Sequence, residues 1–362
     1  MTATSAPRKR VVSGMRPTGR LHIGHYFGAL QNWVKLQNDP AYECFYFIAD
    51  WHALTSDYAD TSQVSQNTIE IATDWLVSGL DPQKSTFFVQ SQVPEHAELH
   101  LLLSMVTPLG WLERVPTYKE QLQNITDKDL HTYGFLGYPV LQCADIVIYS
   151  QQRSDLAVPV GQDQVAHIEL SREIVRRFNS FYGDTLREPQ VLLTESARVP
   201  GTDGRKMSKS YGNAITLSES DESIRAKTKV MMTDPARKRR SDPGDPDKCP
   251  AYDWHKLFST QQTLDWAAQG CRTAGIGCIE CKAAMADHLI KWIAPIRSRR
   301  LEYEAHPEKV KKILADGSAK ARPFAQQTMK RVREAVFGPQ SFEAEAGINN
   351  PAVAAKPKGA GN

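Results

Sequence analysis

Two short runs carry the clearest chemistry in this chain. His22-Ile23-Gly24-His25 follows an apolar segment, and Lys206-Met207-Ser208-Lys209-Ser210 follows the glycine-rich stretch Pro200-Gly201-Thr202-Asp203-Gly204. A strand-to-helix junction at the first run would present unpaired N–H groups and the positive end of a helix dipole, which suit phosphate. Gly24 lets backbone and ligand approach closely. His22 and His25, three apart, can share one helix face and donate to phosphate oxygens. Lys206 and Lys209, three apart on a flexible loop, can close over a triphosphate and stabilise charge growing on a departing pyrophosphate. Taken singly, the histidines read more often as surface or core residues and the lysines as an exposed basic loop. Their joint occurrence around an α/β pattern points to nucleotide chemistry. The chain lacks a G-x-x-x-x-G-K-[ST] loop and a G-x-G-x-x-G fingerprint at these places.

A second constellation lies in the apolar segment 137–149. Asp145 stands three residues after Gln142 and seven after Tyr138, so all can face one side of a helix. A carboxylate buried there needs partners. It either receives a donor from a ligand or pairs with something local. A third constellation is Cys249, Cys271, Cys278 and Cys281, separated by 21, 6 and 2 residues. Four thiolates can hold zinc or an iron–sulfur cluster, and unligated thiols are the remaining reading. Cys44 and Cys143 lie in apolar segments and read as packed thiols.

The elements that must position these groups alternate between strand and helix. Residues 10–14, 44–49, 86–90, 157–161 and 190–193 read as short strands, and 21–36, 61–79, 97–109, 119–127 and 164–178 as helices. This alternation predicts an α/β fold: a doubly wound, parallel-sheet, Rossmann-like catalytic domain with ligands at the carboxyl ends of the strands. From about residue 218 the β-branched runs vanish, so a smaller all-helical C-terminal domain is expected over 218–338. That leaves a flexible start at 1–10, the catalytic domain at 11–217 and a disordered tail at 339–362.

The 362 residues suit two such domains. A formal net charge of +3 is too small to argue for nucleic acid. Basic residues do cluster at 237–240, at Arg297 with Arg299 and Arg300, and at Lys309 with Lys311 and Lys312. Each reads as a solvated face, but together they favour a phosphate-tracking surface. The sequence has no membrane-length apolar run and no secretory h-region at its start, so a reducing cytoplasm is the expected setting.

Five ordered motifs resemble the bacterial-type tryptophanyl-tRNA synthetases of class I. They are Ser13 to Gly19 with its continuation to Leu30, Ala49 to Thr55, Gly137 to Asp145, Val158 to Gln164, and the lysine loop. The resemblance spans about residues 11 to 338. It implies tryptophan activation by Mg·ATP and transfer to tRNA(Trp), with His22, His25, Lys206 and Lys209 acting on the phosphates. The implied ATP site is Arg16, Pro17, Thr18, Gly24, His25, Gly161, Gln162, Asp163, Val199, Lys206, Met207, Ser208, Lys209 and Ser210. The implied tryptophan pocket is Val12, Tyr138, Gln142, Asp145, Val158, Val160 and Gln164. The indole N–H is a donor only, and the Asp145 carboxylate matches it. Many bacterial relatives carry Asn at the position of His25; both side chains can donate. The resemblance also implies a homodimer and, for the four cysteines, a [4Fe–4S] cluster found in a subset of the family, with zinc as the alternative. A tyrosyl-type ligase shares this architecture. A different nucleotidyl transferase and a non-catalytic RNA-binding paralogue are the other readings.

Overall fold

The computed structural model describes residues 8–124, 128–151, 155–194 and 199–339. Five strands form one fully parallel sheet: β1 (Lys9–Met15), β2 (Tyr42–Ile48), β3 (Ser85–Val89), β4 (Leu156–Val160) and β5 (Gln190–Leu193), in the order β3-β2-β1-β4-β5. All five lie where the apolar runs predicted them, to within a few residues. The order reverses between β1 and β4, and that switch point is where an open α/β sheet opens a crevice beyond its strand ends.

Because side chains alternate along a strand, the sheet feeds two separate cores. Val11, Tyr46, Ile48, Phe87 and Val89 point into one layer, with Ile71 and Trp75 of the helix Val64–Val77 and Met285, Leu289 and Ile293 of the helix Cys278–Ala305. Val12, Phe45, Phe47 and Phe88 point into the other, with Val140 and Ile146 of the helix Tyr138–Val147 and Ile168, Ile174, Val175 and Phe178 of the helix Val165–Tyr182. Spacings of three and four along the last helix put those residues on one face.

The long helix Pro307–Phe337 joins the two layers. Val310 and Leu314 enter the first core, and Ala321, Ala325, Met329 and Val332 enter the second. In between it crosses the edge strand β3, where Ser318 Oγ accepts from the Val89 N–H at 3.3 Å. An exposed strand edge is thereby covered. Gly317 makes the crossing: a Cβ there would lie 1.6 Å from the Phe87 carbonyl oxygen.

One local element departs from the sequence reading. A single helix was expected over 21–36, but Leu21 and His22 are extended, His22 bridges Thr216, and the helix begins at Ile23. A π-type turn at Tyr26–Leu30 precedes the regular helix Gln31–Asn38. His22 is therefore the residue that enters the helix rather than a member of its face.

Backbone contact at Gly317 leaves no room for a methyl group. Gly317→Ala is expected to destabilise the fold by about 1–3 kcal/mol or more, seen as a lower denaturant midpoint.

Candidate active site

β1 delivers the chain to its carboxyl end at Met15, and the loop that follows turns into the helix at Ile23. His22 and His25 stack there with ring centroids 3.6 Å apart. The close fit depends on Gly24, because a Cβ would sit 2.9 Å from the His22 ring. The His22 N–H donates to His25 Nδ1 at 3.2 Å. That makes Nδ1 an acceptor and leaves His25 Nε2 carrying the proton. Burial, followed by the Lys209 ammonium, pushes His22 down to about 4. Burial, His22 and the two lysines push His25 down to about 3. Both rings are neutral donors at neutral pH. Arg16 donates to Ser56 Oγ at 2.5 Å and to Asp57 at 3.1 Å, while Pro17 is buried and Thr18 is exposed.

The lysine loop is organised from within. Asn213 accepts from the Ser208 N–H at 2.7 Å and donates to Asp203 at 2.7 Å and to the Lys206 carbonyl at 3.1 Å. Met207 is buried in the same core cluster as Leu21, Ile23 and Val199, which ties the loop to the histidine junction. Lys206 is exposed, and the Ser208 and Ser210 hydroxyls meet at 2.8 Å. The Lys209 ammonium lies on the carbonyls of Thr18 and, at 3.1 Å, Arg20. Thus the histidine and lysine runs, about 180 residues apart in sequence, meet directly.

A cavity of about 420 Å³ opens at the switch point. All seven residues of the expected tryptophan pocket line it: Val12, Tyr138, Gln142, Asp145, Val158, Val160 and Gln164. Arg16 and Gly161 of the expected ATP set line it too. Gln162 is exposed on the short turn Gln162–Gln164, and the Asp163 side chain lies outside the described residues. Val199 is buried beside Met207.

Asp145 is fully buried. It accepts from His96 Nδ1 at 2.6 Å, from His52 Nε2 at 2.8 Å and from Gln90 Nε2 at 2.7 and 2.8 Å. Burial alone would raise its pKa, but the hydrogen bonds from the two histidines outweigh it and hold the pKa below the usual carboxylate value. The carboxylate is therefore an ionised acceptor. His96 passes the network on to the Tyr149 hydroxyl at 2.8 Å. On the facing side, the Tyr138 hydroxyl meets Thr117 at 2.7 Å, and Thr117 meets His167 at 2.8 Å. The sequence reading named Asp145 but not its donors. His52 lies inside one of the quoted motifs and was the traceable one. Gln90 and His96 follow β3 and become partners only once β3 and the helix Tyr138–Val147 are packed.

Elsewhere the structure redistributes the basic clusters. Arg237 is buried, with its guanidinium on the carbonyls of Arg240 and Ile276 and 3.9 Å from Cys271 Sγ. Arg297 holds the Glu219 carbonyl and Asp221, Arg299 holds the Val77 carbonyl, and Arg300 is buried among carboxylates. Arg237 and Arg300 are thus internal ties and are not available to the expected phosphate-tracking surface. Lys238, Arg239, Arg240, Arg299, Lys309, Lys311 and Lys312 remain exposed.

The four clustered cysteines come into mutual range. The Cys281 thiol is pushed up to about 12, by burial and then by Cys249, Cys271 and Cys278. Among the described residues, however, no group of three or more His, Cys, Asp or Glu side chains is arranged to hold a metal ion. Cys44 and Cys143 are buried thiols.

The family model described as tRNA synthetases class I (W and Y) matches residues 4–294. The chain belongs to that family. It is 51% identical to the tryptophan–tRNA ligase of Thermotoga maritima, over 90% of this chain and 98% of that protein. It is 46% identical to the tryptophan–tRNA ligase of Ralstonia nicotianae, over 91% and 98%. A solved tryptophanyl-tRNA synthetase of Campylobacter jejuni, complexed with ADP and tryptophan, superposes with a TM-score of 0.80 at 35% identity, covering 90% of this chain and 98% of that one. The fold shared with these proteins is a Rossmann-like parallel sheet with a helical C-terminal part.

The depressed histidines have a consequence for stability. Above pH 6.5 both rings are neutral whether the chain is folded or not. As pH falls from 6.5 towards 4 for His22 and 3 for His25, the unfolded chain takes up protons that the folded chain refuses, so stability is lost across that window. Denaturant midpoints should fall between pH 7.5 and pH 5. A His22→Gln/His25→Gln variant should show a smaller fall.

Proposed function

We propose that the chain is a tryptophan–tRNA ligase: it activates L-tryptophan with Mg·ATP to tryptophanyl-adenylate and loads the tryptophanyl group onto the 3′ end of tRNA(Trp). The observation that carries this reading is Asp145, an ionised, fully buried acceptor on the wall of a cavity whose lining mixes apolar and polar side chains. An indole offers an apolar body with a single N–H donor; Val12, Val158 and Val160 give it apolar wall and Asp145 an acceptor. Named relatives at 40–51% identity and the complex with tryptophan and ADP support the same reading.

In this reading the tryptophan carboxylate attacks the α-phosphorus in line. An oxygen–phosphorus bond forms, the bond to the β-phosphate oxygen breaks, and pyrophosphate leaves with the electron pair. The terminal ribose hydroxyl of tRNA then takes the acyl group and AMP departs. No side chain needs to act as a covalent nucleophile. Positioning and charge stabilisation do the work. His22 and His25 donate to phosphate oxygens as neutral rings. Lys206 and Lys209, with the backbone around Met207, Ser208 and Ser210, close on the leaving pyrophosphate. Arg16, Pro17, Thr18, Gly24, Gly161, Gln162, Asp163 and Val199 would complete the nucleotide site. Magnesium would travel with the triphosphate as part of the substrate and offset its charge.

The helical part beyond residue 218 would face tRNA through Lys238, Arg239, Arg240, Lys309 and Lys311. The apolar side chains Leu101, Met105 and Leu109, exposed on neighbouring turns, suit a homodimer contact. With no helix among the described residues long and apolar enough to cross a membrane, a cytoplasmic ligase fits the reading.

The four cysteines fit a thiolate-bound group by donor chemistry, although among the described residues they are not arranged to hold a metal ion. Two buried cations stand beside them: Arg237 near Cys271, and Lys282, whose ammonium sits on the Lys229 and Met231 carbonyls. We assign Cys249, Cys271, Cys278 and Cys281 to a structural [4Fe–4S] cluster, with no part in the reaction. The group would cross-link the three helices on or beside which these residues lie.

Lys206→Ala should lower kcat for tryptophan-dependent ATP–pyrophosphate exchange by about 10²–10³-fold and leave the tryptophan Kd nearly unchanged. Equal effects on both would refute the phosphate role. In the same assay Asp145→Ala should erode the preference for tryptophan over tyrosine and phenylalanine. A wild-type preference for tyrosine would favour the tyrosyl-type ligase.

Anaerobically purified protein should be brown, absorbing at about 400 nm from thiolate-to-iron charge transfer. A colourless preparation with stoichiometric zinc would replace the cluster by a zinc site.

A further inference from the structure

Between the histidine and lysine runs lies one peptide group held at both of its polar ends. The Leu21 N–H donates to Asp74 Oδ2 at 2.6 Å. The carbonyl of Arg20, the other half of the same peptide, accepts from Lys209 Nζ at 3.1 Å. An anion at the donor end and a cation at the acceptor end polarise the peptide in the same sense, so each bond strengthens the other. This peptide leads straight into His22.

Asp74 does not stand alone. It is fully buried in the helix Val64–Val77, and its second oxygen is paired with Arg300, which is 2% exposed on the helix Cys278–Ala305. Arg300 also pairs with Glu70 and, at 2.8 Å, with Glu304. The same two glutamates hold the Arg20 side chain at 3.0 and 3.1 Å. With one oxygen of Asp74 taken by Arg300, the other is fixed towards Leu21. The chain of charge-assisted contacts runs from the helical C-terminal part, through Asp74, to the peptide on which Lys209 rests.

We propose that Asp74 and Arg300 are positioning residues for adenylate formation, holding the Arg20–Leu21 peptide and, through it, the start of the histidine helix and the resting seat of Lys209. The proposal rests on the reading of the histidine and lysine runs as the ATP-phosphate site. A misplacement of about 1 Å at such a site costs up to about 10²-fold in rate. Neither Asp74 nor Arg300 lines the cavity that Asp145 lines, so tryptophan binding should not share the loss.

Two double variants separate the peptide acceptor from the ion pair. Asp74→Leu/Arg300→Met removes both charges together, which avoids leaving one buried charge alone, and it removes the acceptor for Leu21. Asp74→Asn/Arg300→Met also removes both charges but keeps an oxygen for Leu21. Measured at pH 8, where Asp74 is ionised in the wild type although burial raises it to about 6, the first variant should lose at least about tenfold in kcat for ATP–pyrophosphate exchange. Its tryptophan Kd should stay within about twofold. The second should recover most of the kcat. If the leucine variant does not fold, Asp74→Ala/Arg300→Met takes its place. Equal kcat in the two variants, or a parallel loss of tryptophan binding, would overturn the proposal. Lys206→Ala run alongside tells the two failures apart: slowed exchange there with wild-type exchange in the leucine variant removes only this proposal, whereas wild-type exchange in Lys206→Ala removes the phosphate-site reading and the proposal with it.

Discussion

An ionised carboxylate inside an apolar core is the constraint around which this molecule is arranged. Asp145 sits on the helix Tyr138–Val147, where Val140, Cys143, Ala144, Ile146 and Val147 are all buried. Without donors such a charge would be expelled or protonated. Its donors come from three other stretches: His52 after β2, Gln90 at the end of β3, and His96 on the helix that follows. These can converge on one carboxylate only if β2 and β3 are neighbours and end at the same level, and their register, Ile48 opposite Val89, provides that. The sheet topology and the charge requirement are two statements of one geometry.

The side that carries the histidine and lysine runs is held in a similar way. β1 ends at the switch point, and its following loop has no regular structure of its own until Ile23. Antiparallel contacts with residues 215–217 and the carboxylate of Asp74 fix it instead. The lysine loop is then tied to it by Met207 in the shared core. Two stretches far apart in sequence become one wall because the loop after β1 borrows its support from residues 203–217, which Asn213 organises internally.

Much of this was legible in the chain itself. The strands follow from continuous apolar runs, because a parallel sheet buried on both faces demands them. The histidine and lysine runs are readable because their chemistry is local and their spacing short. Asp145 stood out because an acid is anomalous among apolar residues. What the sequence did not reveal is pairing across the fold. Gln90, His96, Asp74 and Arg300 have ordinary neighbours in the chain, and their roles appear only when distant elements pack. Arg237 and Arg300 looked like solvent-facing cations because clustering along a sequence says nothing of depth. The π-type turn at Tyr26–Leu30 escaped for another reason: it keeps a helical pattern while shifting its phase.

The crossing of the helix Pro307–Phe337 over β3 bears on how the molecule comes into being. Val89 and Ser318 are joined across 229 residues of chain. During synthesis β3 emerges long before the helix that covers it, and until then the sheet has an open edge able to pair with any passing strand. The second core layer cannot close on its own: Ala321, Ala325, Met329 and Val332, which complete it, come from this last helix. A nascent chain therefore finishes the core layer that holds the helix Tyr138–Val147 only after its last long helix has emerged.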